Sequence, residues 1–92
     1  MEFLVRFETN LPDTMPVAER NRLKGLERDR AQQLRSEGTL LRLWRVPGRR
    51  AVIGLWDTAD ATHLHDALAS LPAFPWTDVT VEALATHPQE QR

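Results

Sequence analysis

The first ten residues alternate in character. Phe3, Val5, Phe7 and Thr9 fall on one side of an extended chain, and Leu4, Arg6, Glu8 and Asn10 on the other. A period of two predicts a half-buried strand. Leu11-Pro12-Asp13 breaks it. Pro16 then suits the first turn of a helix, with Asp13 or Thr14 as its expected cap. The charged stretch from Val17 to Glu37 predicts the longest helix, stopped by Gly38. Thr39 to Val46 and Arg49 to Asp57 are apolar, β-branched or aromatic runs on either side of Pro47-Gly48. Pro-Gly fits the central positions of a type II turn, so the two runs predict an antiparallel pair. A second helix is expected from Ala59 to about Leu71, capped by Asp57 or Thr58. Leu71-Pro72-Ala73-Phe74-Pro75 ends it, because the residue before a proline avoids the helical region. Val79, Val81 and Ala83 alternate with Asp78, Thr80 and Glu82, which predicts a last strand from Trp76 to about Leu84. His87-Pro88 opens a polar tail.

The order is β-α-β-β-α-β. It predicts an α+β fold of ferredoxin-like type, one antiparallel sheet covered by two helices on one face. Residues 1–92 read as a single domain, with a folded core over 1–86 and a tail over 87–92. The inner hairpin is apolar on both faces: Ala51, Ile53 and Leu55 form one, and Val52, Gly54 and Trp56 share the other with Arg50. Two helices cover only one face, so the other is expected to meet a second copy, as in a dimeric α+β barrel.

Ninety-two residues make a thin core, burying roughly 60–65% of the unfolded surface. This sharpens the expectation of an oligomer. Twelve basic against thirteen acidic residues give a net charge of −1, so no global basic field points to nucleic acid. No apolar run has the ~18–20 residues of a membrane span, and the charged N-terminus is unlike a signal peptide. With no cysteine, a thiolate metal site and a cysteine nucleophile are excluded, and the cytoplasm is the expected compartment. No P-loop, dinucleotide fingerprint, nucleophile elbow or metal-ligand spacing occurs. Neither a cofactor nor a metal is expected.

One residue breaks the pattern of the first helix. Leu23, Leu26, Ala31 and Leu34 define an apolar stripe, and Glu27 falls inside it. A carboxylate aimed at a core is either paired or raised in pKa. In the first case Arg30, one turn on, is its partner at i,i+3. In the second, Glu27 is a desolvated base suited to removing a proton from carbon. Arg50, on the strand face of Val52 and Trp56, is either a solvated turn residue beside Arg49 or an anion-binding group. His63 and His65 are two apart on a helix and cannot share a metal in the usual way.

These residues also carry a resemblance. Asn10-Leu11-Pro12, Leu23-Lys24 with Glu27, Glu37-Gly38, Leu43-Trp44-Arg45 with Gly48, Leu64-His65-Asp66, Leu71-Pro72-Ala73-Phe74-Pro75-Trp76 and His87-Pro88 resemble the muconolactone Δ-isomerases from end to end. The resemblance implies a homo-oligomer, a decamer in well-known members. It implies cofactor-free movement of a C=C bond in muconolactone, a small anionic lactone, to the 3-oxoadipate enol-lactone of catechol degradation. Glu27 matches the carboxylate thought to move the proton. Arg50 is then the expected anion or enolate stabiliser, and Val52, Trp56, Trp76 and Arg30 the expected substrate-binding residues. Where the family has a tyrosine and an asparagine, this chain has Arg50 and Val52, and Trp76 replaces a tyrosine. Two alternatives follow from those changes. One is a dehalogenase or isomerase of a substituted muconolactone. The other is a non-catalytic oligomeric paralogue, whose mark would be a closed Arg50–Glu27 ion pair with no room for a lactone.

Overall fold

The computed structural model of the protein describes residues 1–90. Four strands form one antiparallel sheet in the order β2-β3-β1-β4: β1 (Glu2–Thr9), β2 (Leu40–Arg45), β3 (Ala51–Asp57) and β4 (Thr77–Leu84). Helix α1 (Val17–Ser36) connects β1 to β2, and α2 (Ala61–Ala69) connects β3 to β4. This is the ferredoxin-like order expected from the sequence.

The register fixes which side chains share a face. Phe3 pairs with Trp56, Val5 with Gly54 and Phe7 with Val52, so these residues line up on one side of the β1–β3 ladder. That side holds the core. Phe3, Val5, Leu34, Leu40, Trp56, Leu64, Leu68 and Leu71 form one buried cluster. The opposite side carries Leu4 beside Leu55, Arg6 beside Ile53, and Trp44 beside Ile53. Trp44 is 40% exposed there, with the Arg42 guanidinium stacked over its ring.

Local chemistry explains the turns. Gly48 adopts φ +75°, and the Arg49 N–H donates to the Val46 carbonyl, as the expected type II turn requires. Gly38, at φ +79°, ends α1. The Gly38 N–H donates to Arg35 and the Thr39 N–H to Leu34, the paired bonds of a Schellman stop.

The helix starts differ from expectation. Pro16 itself occupies the cap position of α1, and no side chain caps it; neither Asp13 nor Thr14 does so. Arg20 instead reaches back to the carbonyls of Met15 and Pro12 and ties down the incoming loop. Helix α2 starts at Ala61, capped by Asp60, whose carboxylate accepts from the His63 N–H at 2.8 Å. Asp57 and Thr58 are engaged elsewhere: Asp57 binds the amino terminus, and the Thr58 hydroxyl donates to the Asp60 carbonyl. Helix α2 ends at Ala69, and Phe74–Trp76 forms a short 3-10 turn before β4, so Trp76 lies outside the strand. In the tail, Pro88–Glu90 forms a 3-10 turn where no structure was expected, and residues 91–92 lie outside the described residues.

The packing of α1 is uneven. Leu34 is its one buried residue, while Leu26 is 43% exposed. At about 100° per residue, Leu23, Glu27, Ala31 and Leu34 share a narrow arc, and Leu26 lies to one side of it. The C-terminal turns of α1 are therefore pinned to the core, and its N-terminal turns stand over the sheet with a groove beneath. The Cα radius of gyration is 14.5 Å, against about 12 Å for a compact chain of this length.

Candidate functional site

The groove has two parts. An open outer cavity of about 1060 Å³ runs between α1, the end of β1 and the β2–β3 hairpin. A smaller inner cavity of about 230 Å³ lies against the sheet, walled largely by Phe7, Ala31, Leu40, Leu43, Val52, Trp56 and Leu71. Glu27, Phe7, Thr9, Ala31 and Val52 line both. Glu27 thus stands where a polar mouth meets an apolar interior.

The local sequence explains how Glu27 is held. In Leu71-Pro72-Ala73-Phe74-Pro75-Trp76 the two prolines carry no N–H. The Phe74 N–H closes onto Leu71 and the Trp76 N–H onto Ala73. The Ala73 N–H is left over, and it donates to Glu27 Oε2 at 2.8 Å. Two effects act on this carboxyl. Burial disfavours the charged form and pushes its pKa above the ordinary glutamate value of 4.5; the weaker, opposing effect is the Ala73 hydrogen bond, which favours the carboxylate. Among the described residues Glu27 has no cationic partner within ion-pair distance. It is a half-buried carboxylate held by one backbone hydrogen bond, an arrangement suited to a general base.

The mouth is strongly cationic. Arg20, Lys24 and Arg28 of α1 face the groove on one side, and Arg45 and Arg50 of the hairpin on the other, against only Asp13 and Glu27. Arg20 is occupied by backbone carbonyls. The other four cations form no salt bridge among the described residues. Low-dielectric walls lined by one sign of charge concentrate the opposite charge, so this mouth favours a small anion.

The site residues expected from sequence divide into two groups. Glu27, Arg50 and Val52 meet at the outer cavity, and Glu27, Val52 and Trp56 at the inner one. Arg30 and Trp76 line neither. Arg30 sits on the edge of α1 away from Lys24 and Arg28, where it donates to Ser70 Oγ at 2.9 Å and to Gln33 at 3.0 Å. The Glu27–Arg30 pair considered from the i,i+3 spacing is therefore not formed. Nor is a closed Arg50–Glu27 pair, and the groove between these two residues is open. Lys24, Arg28 and Arg45 line the outer cavity as well and are not among the residues expected from sequence. Their signal was present for α1, since 20, 24, 27, 28 and 31 repeat at helical spacing.

The chain matches the profile of the muconolactone delta-isomerase family over residues 1–90. It is 44% identical to muconolactone delta-isomerase 2 of Acinetobacter lwoffii over 95% of this chain and 91% of that protein. It is 40% identical to the muconolactone delta-isomerase of Cupriavidus pinatubonensis over the full length of both. Its fold is similar to a crystal structure of muconolactone isomerase, with a TM-score of 0.92 and 38% identity, covering 100% of this chain and 96% of that one.

Proposed function

Because the chain belongs to the muconolactone delta-isomerase family, we propose that it shifts the C=C bond of muconolactone by a proton transfer through Glu27. The observation that carries this reading is the position of Glu27: a half-buried, oriented carboxylate between a cationic mouth and an apolar interior.

The two cavities match the two ends of such a substrate. The lactone ring enters the inner cavity, and its carboxymethyl carboxylate remains at the mouth. There Arg50 offers a planar, permanently charged donor suited to a carboxylate. Glu27 takes the proton from the γ carbon. The electron pair of that C–H bond becomes the β–γ double bond, and the former α–β pair moves to form an α–carbonyl double bond. The lactone carbonyl oxygen becomes the dienolate oxygen. Glu27 then returns the proton to the α carbon and the carbonyl re-forms. Atoms and charge balance, and the carboxylate is regenerated. Apolar walls such as Val52 and Phe7 keep water from the intermediate.

Arg50→Gln tests the placement of the carboxylate. It is expected to raise KM roughly tenfold with a small change in kcat, the effect of losing one charge-assisted hydrogen bond. The kcat/KM of the unaltered protein is also expected to fall as salt is added, because an open cationic mouth is screened. A KM unmoved by the substitution would place the carboxylate elsewhere.

The same reading includes a homo-oligomer and a cytoplasmic compartment. The half-open sheet face around Leu4, Ile53, Leu55 and Trp44 and the extended shape support self-association. A stable monomer by solution mass measurement would contradict it. No helix among the described residues is long and apolar enough to cross a membrane.

A further inference from the structure

Trp56 is 1% exposed, and its indole N–H is buried with no hydrogen-bond partner. It is the one side-chain donor or acceptor so stranded among the described residues. Buried polar groups are nearly always paired, so an exception calls for a cause. The surroundings supply one. The neighbour on β3 is Gly54, and a Cβ at that position would lie 2.6 Å from Trp56 Nε1. The missing side chain makes room for the nitrogen edge of the indole. Leu43, whose Cδ2 is 3.2 Å from the same point, lines the inner cavity, as does Trp56 itself; the N–H is fully covered, so a substrate oxygen reaches it only by displacing a lining side chain such as that of Leu43. Glu27 lines that cavity too. The other walls are mostly apolar, so the cavity offers few alternative donors for a substrate oxygen.

We propose that the Trp56 indole N–H is the hydrogen-bond donor to the lactone carbonyl oxygen, and that it holds this oxygen as it becomes the dienolate. This rests on the isomerase reading above and adds a catalytic residue to it. With the substrate carboxylate at Arg50 and the ring beneath Glu27, the carbonyl lies at the inner end of the groove, against Trp56. The indole keeps its proton throughout. It acts by being oriented before charge develops, and such a donor gains strength in a water-excluded site. Its bond to the dienolate is stronger than its bond to the neutral carbonyl, so its effect falls on kcat more than on KM.

The test replaces Trp56 with its benzothiophene isostere, which keeps the fused-ring shape and puts sulfur, which cannot donate, in place of the N–H. Expected is a fall in kcat of at least tenfold, with KM changed less than threefold and a melting temperature equal to or above that of the unaltered protein. Full kcat in the isostere would overturn the proposal. A second readout needs no turnover. Saturated muconolactone retains the carbonyl and carboxylate but cannot isomerise. Titrated into the unaltered protein, it is expected to move the Trp56 indole proton downfield, leaving those of Trp44 and Trp76 in place. Binding without that shift would also overturn the proposal. If the shift occurs but muconolactone is not converted, the donor stands and the isomerase reading fails. If muconolactone is converted and the isostere is fully active, the reverse holds.

Discussion

Glu27→Gln is expected to lower kcat for muconolactone by about a thousandfold, within the ~10²–10⁴ range of a lost general base. KM is expected to change little, because the mouth cations and the apolar walls remain. The amide oxygen can still accept from Ala73, so the loop before β4 keeps its anchor. The pH dependence gives an independent check. The folded protein raises the Glu27 pKa above its ordinary value, chiefly by burial. The folded state therefore binds this proton more tightly than the unfolded state does. The stabilisation is full below the unfolded value near 4.5 and is lost as pH rises through the folded value. Glu27→Gln removes that dependence. Its melting temperature relative to the unaltered protein is thus expected to rise between pH 4 and pH 7. Activity runs the other way: kcat/KM of the unaltered protein falls as pH drops through the Glu27 pKa, with a midpoint above 4.5. A variant keeping more than a tenth of the activity would remove Glu27 from the role of base.

Leu34→Ala is expected to have the largest effect on stability. Leu34 is 1% exposed and is the only buried residue of α1. Truncating a buried leucine costs about 2–5 kcal/mol, a large share of the ~5–15 kcal/mol that holds a domain together. The melting temperature should fall by more than about 10 °C, at ~4–8 °C per kcal/mol for a chain of this size. Because Leu34 anchors the helix that carries Glu27, kcat should also fall at temperatures where the variant is still folded. A small shift in melting temperature would mean that α1 is held by contacts other than this one.

What could be read from the sequence was local. The alternation in β1, the Pro47-Gly48 turn and the Gly38 stop each depend on a few neighbouring residues, and each forms as expected. The misplaced caps show the limit. Asp57, Thr58 and Asp60 are all good caps, and the choice went to Asp60 because the amino terminus engages Asp57. In the site, Glu27 was visible because a charge in an apolar stripe is visible. Its partner was not, since Ala73 is 46 residues away in sequence and donates through its backbone. Arg30 appeared equally placed by spacing, but it lies on the other edge of the helix and is bound to Ser70. Trp56 could be read as a wall. Its unpartnered N–H could not, because that depends on how the indole lies over Gly54.

Every prediction for Glu27, Arg50 and Trp56 depends on this chain moving a proton from the γ to the α carbon of muconolactone. Proton NMR of muconolactone incubated with the unaltered protein follows that transfer at both carbons. The γ C–H signal is expected to disappear and an α CH₂ signal to appear, at a rate proportional to protein concentration. A spectrum that stays that of muconolactone, at a rate no faster than without protein, would contradict it.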